Sequence, residues 1–161
     1  MIEFPLDMHG ACLVFSDEVL EHFVKNQQKR VRDAEAGGQL FARLTRYEIF
    51  VEEATGPRPE DLRTRMSYMP NRASERREIR DKFAVGLHYV GDWHTHPETI
   101  PHPSLIDQAT IADCSMRSIH QLDGFFLAIV GQGKLPECLH LSFHPDRRIS
   151  NVRKHIESRG K

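Results

Sequence analysis

Gly91–Thr110 reads GDWHTHPETIPHPSLIDQAT, and the fold turns on how its two halves are parsed. Entered from Leu87, the first half is β-prone as far as His96. Pro97, Pro101 and Pro103 then stiffen a loop. Ser104 supplies an N-cap, and Leu105, Ile106, Ala109, Ala112 and Met116 recur at helical spacing, predicting a helix to about His120. The unit is therefore strand, loop, helix. On the strand, His94 and His96 share a face, with Cα atoms roughly 6.5 Å apart. Two imidazoles leaning together over that distance can hold one ion at Zn–N bonds of about 2.0 Å. Asp92 falls on the same face, as does His88 if the strand is regular, and Trp93 points the other way into the core.

Working outward, Ala11–Phe15 is a short apolar run. Ser16 caps a helix over about Asp17–Lys29, with Asp17 and Glu18 in the first turn and Val19, Leu20, Phe23 and Val24 as one apolar stripe. Gln39–Leu44 and Tyr47–Ala54 alternate as strands joined at Thr45-Arg46. Pro57–Arg80 begins as a Pro-bearing, charged loop. It includes a candidate strand at Met66–Met69 and runs into a helix-prone Asn71–Phe83, with Ile79 and Phe83 at i,i+4 spacing. FFLAIVG (Phe125–Gly131) is a buried strand by composition and Cys138–Phe143 another, and a basic tail fills about 145–161. Helices interleaved with a mixed or mostly antiparallel sheet predict one α/β (α+β) layered domain over 1–161.

Composition narrows the function classes. The 161 residues are 39% hydrophobic and 28% charged, with 22 Lys+Arg against 23 Asp+Glu, a net charge of −1. That balance lacks the basic footprint of a nucleic-acid binder. No apolar run approaches the roughly 18–20 residues that span a bilayer, and MIEFPLDMHG has no signal-peptide pattern. The expectation is a cytoplasmic protein with no membrane partner. Cys12, Cys114 and Cys138 are odd in number and widely spaced, as befits free thiols.

Ten of the residues are histidine, so chance alone yields about 0.6 H-x-H pairs in such a chain, and the pair means little without context. The context is Ser104, seven residues after the intervening Pro97, and Asp107 three beyond it. Requiring both at fixed offsets lowers the chance expectation to about 10⁻³. Asp107 sits one turn into its helix, facing the strand end. A carboxylate there completes a His2Asp set that leaves a fourth position open for water, the arrangement of catalytic rather than structural zinc.

This pattern, H-T-H-P-x6-S-x2-D, resembles the signature of the JAMM (MPN+) metallopeptidases, a Glu followed later by H-x-H-x7-S-x2-D. The family's Glu lies on a segment E-x-G-G-x-L-x-G. Here AEAGGQLFA offers Glu35, Gly37, Gly38 and Leu40, with Ala42 in place of the last Gly, at a position that packs rather than reacts. Glu48, Glu52, Glu53 and Glu98 compete on composition alone, but none precedes a Gly-Gly-x-Leu segment. The resemblance implies a cytidine-deaminase-like mixed sheet flanked by helices, and one Zn2+ per chain on His94, His96 and Asp107. It implies Glu35 as general base and acid and Ser104 as oxyanion donor. Asp92 is a candidate to accept the outer N–H of a ligand imidazole, or else a solvated acid at the strand end. His102 falls outside the family pattern and is assigned to the loop or the substrate side.

Short bacterial members carry the signature as G-D-W-H-T-H-P after an A-T-G-P segment like Ala54–Pro57. They are encoded in anti-phage defence operons of the cyclic-oligonucleotide (CBASS) type and resemble deubiquitinases. The implied partner is a protein with an extended C-terminal tail, either ubiquitin-like or a conjugated cyclic-nucleotide synthase, with specificity carried by Pro57–Arg80. Other H-x-H hydrolases fit poorly. Amidohydrolases need a barrel of about 250 residues, and metallo-β-lactamase-like enzymes need Asp-His where Glu98-Thr99 stands. The alternative of another class is a non-catalytic MPN-type scaffold that only binds partners.

Overall fold

A computed structural model describes residues 1–6, 11–117 and 122–146. Seven strands form one mixed sheet: β1 (Ile2–Pro5), β2 (Cys12–Phe15), β3 (Gly37–Leu44), β4 (Glu48–Ala54), β7 (His88–Thr95), β8 (Gly124–Val130) and β9 (Leu139–Pro145), in the order β1-β2-β4-β3-β7-β8-β9. A separate hairpin pairs β5 (Leu62–Thr64) with β6 (Ser67–Met69). The helices are α1 (Asp17–Asn26), α2 (Arg72–Ala84) and α3 (Leu105–Arg117). The expected reach of α3 to His120 and the basic tail beyond 146 lie outside the described residues.

Neighbouring strands are antiparallel except β2 with β4 and β7 with β8. A parallel pair needs a crossover, and helices supply both: α1 lies between β2 and β4 in the chain, and α3 joins β7 to β8. Each face of the sheet then has its own core. Val19 and Phe23 of α1 pack with Leu13, Phe15, Leu40, Val90 and Trp93 on one side. On the other, Ile111 of α3 packs with Phe125, Leu127 and Ile129. β8 serves both faces, which is why GFFLAIV reads as an unbroken apolar run.

Several elements depart from the expectation. β1 is a four-residue edge strand too short to announce itself, and Pro5 stands at its end, where a missing N–H is tolerated. Pro57–Arg80 contains the expected strand and helix, as β6 and the start of α2, and its opening loop adds β5, so the whole is a built subdomain. The buried Arg58 guanidinium donates to Gln39 Oε1 at 2.9 Å and also to the Glu78 carboxylate and the Tyr68 oxygen. Tyr68 in turn donates to Asp61 at 3.0 Å. These bonds tie the hairpin and α2 to β3. The buried residue of α2 is Glu75, paired with Arg72 at 2.8 Å, while Phe83 is exposed.

β7 is not regular. Opposite Leu40 and Phe41 it pairs Gly91 and then Tyr89, leaving Val90 as an extra residue. Gly91 adopts φ +154°, and a Cβ there would meet the Phe126 carbonyl oxygen at 1.9 Å. Only glycine fits this close approach. The bulge shifts the side-chain phase, so Tyr89 and not His88 shares the face of Asp92. Among the described residues no helix is long and apolar enough to cross a membrane. The cysteines are free, with Cys138 buried and Cys12 and Cys114 half-buried.

Candidate active site

The histidine pair stands at the C-terminal end of β7, where the chain leaves the sheet for α3. This end of a parallel strand is where open α/β sheets bind their ligands. Ser104 and Asp107 form the start of α3 through two reciprocal bonds. The Asp107 N–H donates to Ser104 Oγ at 3.1 Å, and the Ser104 N–H donates to Asp107 Oδ2 at 2.7 Å. This is a capping box with Asp in the place of Glu. It holds the carboxylate still and turns it toward the strand end.

Donor atoms of three side chains converge there. The Nε2 atoms of His94 and His96 lie 3.1 Å apart. Asp107 Oδ1 is 3.4 Å from His94 Nε2, and Oδ2 is 3.5 Å from His96 Nε2. A tetrahedral ion with arms of about 2.0–2.1 Å spaces its ligands roughly 3.3–3.4 Å apart. Two imidazoles and a carboxylate, spaced within a few tenths of an ångström of that edge, fit zinc in both chemistry and size. The Glu35 carboxylate lies within 4.8 Å of both ring nitrogens. Glu35 is buried, and burial pushes its pKa up to about 7; His96 nearby works against the rise and Asp107 adds to it. Burial also acts to raise the Asp107 carboxyl, but the hydrogen bonds from His94 and His96 outweigh it and hold the group well below the usual carboxylate range. His96 is raised by its bond to Asp107, against burial.

Glu35 is aimed by its main chain. Its N–H donates to Thr64 O of β5 at 2.7 Å, and Arg63 Nε donates to Glu35 O at 2.6 Å. The Gly-Gly that follows lets this segment enter the sheet. A Cβ at Gly38 would sit 1.8 Å from the Thr55 carbonyl oxygen. Of the rival acids, Glu52 pairs with Arg43 and Glu53 with Lys82 away from the site, whereas Glu98 lines the same cavity, where its carboxylate accepts the His102 N–H at 3.2 Å. Ala42, in the place of the family's last Gly, is buried in the sheet core.

Asp92 is on the histidine face but accepts from Tyr89 Oη at 2.8 Å and from the Cys114 thiol rather than from an imidazole. Burial and the neighbouring Glu75 raise its pKa to about 7, which these two bonds and Arg72 oppose. Trp93 points to the opposite core, where its Nε1–H donates to Thr55 O at 2.9 Å. A cavity of about 450 Å3 opens over the site. Glu35, His94, His96, Ser104 and Asp107 line it on one side, and Met66, Tyr68 and Arg72 line the other. Neither Tyr68 nor Arg72 stands out individually in the sequence, because only the packing of the 57–80 segment brings them to the site.

The fold and the motif have counterparts among known proteins. A solution structure of a Desulfitobacterium hafniense protein superposes with a TM-score of 0.56 at 15% identity, covering 83% of this chain and 90% of that one. Two curated relatives are each named CD-NTase/cGAS isopeptidase. One, from Pseudomonas aeruginosa, is 33% identical over 112 residues, 68% of this chain and 71% of its own length. The other, from Escherichia coli, is 29% identical over 98 residues, 59% of this chain and 63% of its own length. Residues 16–142, which run from the cap of α1 into β9 and include every side chain placed around the cavity, match the family model of prokaryotic homologs of the JAB domain, and the chain belongs to that family.

Proposed function

We propose that this protein is a zinc-dependent isopeptidase. Its substrate is the amide bond that follows the extended C-terminal tail of a ubiquitin-like or conjugated protein. The physiological reaction reverses conjugation of a cyclic-nucleotide synthase, a reading supported by relatives named CD-NTase/cGAS isopeptidase; its anti-phage setting rests on the resemblance of the G-D-W-H-T-H-P signature. The observation that carries this reading is the convergence of two imidazole nitrogens, 3.1 Å apart, on the two oxygens of Asp107, at 3.4 and 3.5 Å, with a buried carboxyl beside them. A scaffold that only binds partners has no need of such a set.

His94, His96 and Asp107 would hold the ion. When bound, zinc supplies Lewis acidity, which acidifies water and polarises a carbonyl oxygen. Glu35 accepts the proton of the attacking water as its oxygen bonds to the scissile carbonyl carbon. The same carboxyl then delivers that proton to the departing nitrogen, so the C–N bond breaks to a free amine and a free carboxylate. Ser104 Oγ already accepts the Asp107 N–H. Its own hydrogen is therefore free to donate to the carbonyl oxygen as negative charge develops there.

The tail adds as an extended strand beside the β5–β6 hairpin, where backbone bonds supply affinity and flanking pockets supply selectivity. Met66 and Ile106, both well exposed, form apolar walls at the cavity mouth. The test is incubation with a CD-NTase joined through its C-terminal carboxyl to a lysine side chain, with products read by mass. Cleavage by wild type but not by Glu35→Ala, with about one zinc per chain, supports the enzyme. Absence of both zinc and cleavage favours the scaffold.

A further inference from the structure

Glu35 lies on a stretch without regular secondary structure between α1 and β3. Its distance from the histidines depends on whatever braces that stretch. Besides the bonds to Thr64 and Arg63, the brace is a pair of fully buried polar side chains, Gln28 and Thr95. Thr95 stands between the two histidines, and its side chain points away from them. Its Oγ1 accepts the N–H of Ala36, the residue after Glu35, at 2.9 Å, and donates to Gln28 Oε1 at 3.1 Å. The Gln28 amide nitrogen donates to Asp33 O at 3.2 Å and to Arg65 O in the β5–β6 turn at 2.8 Å. Thus the amide oxygen of Gln28 faces the histidine strand, while its nitrogen faces the Glu35 stretch and the hairpin. The two bonds of Thr95 are buried and the two of the Gln28 nitrogen are half-buried, so the network is stiffest where it meets Ala36.

We infer that Gln28 and Thr95 are positioning residues that fix the Glu35 carboxylate against the His94–His96 pair. The inference rests on the hydrolytic reading of the site. A direct bond from the Thr95 N–H to Ala36 O at 2.8 Å remains without the hydroxyl, so the strand pairing survives substitution and only the aim of Glu35 loosens. Misplacement of a reacting group by about 1 Å costs on the order of 10²-fold in rate.

Thr95→Val removes the hydroxyl at constant shape, and Gln28→Met breaks the same strut from its other end. The probe is a CD-NTase C-terminal tail peptide joined to a fluorogenic amine. The expected result for both variants is a kcat about 10–100-fold lower, with KM and zinc content at wild-type values, and recovery of most of kcat in Thr95→Ser. Thr95→Val added to Glu35→Gln should cause no further loss, because there is no longer a base to aim. Wild-type kcat in a folded Thr95→Val or Gln28→Met protein overturns the inference, as does a kcat loss matched by loss of zinc. Full activity of Glu35→Gln alone would instead overturn the assignment of the base, a separate failure.

Discussion

Ser104 has two jobs that different substitutions separate. As the cap of α3 it accepts one bond, from the Asp107 N–H at 3.1 Å. As a hydroxyl facing the cavity it has a hydrogen to give. Ser104→Ala removes both. The reciprocal bond from residue 104 N–H to Asp107 Oδ2 survives, so the stability cost lies toward the low end of the cap range, about 0.5–1 kcal/mol. For a chain of this size that is a fall in Tm of roughly 1–4 °C. Ser104→Gly costs only a few tenths of a kcal/mol at a cap, and it too lacks the hydroxyl. Loss of an oxyanion donor costs about 10²–10³ in kcat. The two variants should therefore differ in Tm but share the same deep loss of kcat, measured with the fluorogenic tail peptide well below either melting point. A Ser104→Gly enzyme with near wild-type kcat would refute the donor role and leave Ser104 a cap.

Glu35→Gln should lower kcat by about 10²–10⁴ while zinc content, read by metal analysis, stays near one per chain. In the metal-free protein the Glu35 pKa is raised from 4.5 to about 7. The stabilising effect of the bound proton is then fully present below pH 4.5 and is lost as pH rises through about 7. Metal-free wild type should lose stability relative to metal-free Glu35→Gln across that window in denaturant titrations, and a constant difference would contradict the buried carboxyl. Chelation of zinc should abolish cleavage and lower Tm, since an ion that binds only the folded state stabilises it by mass action; restored zinc should recover both. Gly38→Ala places a Cβ against the Thr55 carbonyl and should destabilise by at least about 1–3 kcal/mol, read as a lower urea midpoint.

The parts of the fold that were legible in the sequence are those whose signal is local. α1 has a cap, first-turn acids and one apolar stripe, and β8 is an uninterrupted apolar run. Of the β5–β6 hairpin only β6 was legible, as the candidate strand Met66–Met69, because its strands are three residues long and largely exposed. It is held by Arg58, Asp61 and Tyr68, and polar residues that will be buried look no different in sequence from polar residues that will not. The site divides the same way. His94, His96, Ser104 and Asp107 fall within fourteen residues of one strand–loop–helix unit, so spacing alone suggested their convergence. Glu35 came only through the family resemblance, and nothing about Gln28 distinguishes it from the adjacent Gln27 until the chain is folded.

The bulge in β7 shows why alternation counted from one end of a strand can mislead about the other. Counting back from His94 with a strict period of two puts Asp92, Val90 and His88 on the site face, with Tyr89 beside Trp93. The extra residue at Val90 exchanges them. Val90 then joins Trp93 in the α1-side core, and Tyr89 turns to the α3 side, within reach of Asp92. Both outcomes follow from the one-residue phase shift that a bulge imposes. A buried Asp92 facing Glu75 without the Tyr89 hydroxyl would lose a donor that holds its pKa down. The glycine that permits the bulge, Gly91, is thus tied to the electrostatics two residues before the first histidine, although it carries no side chain of its own.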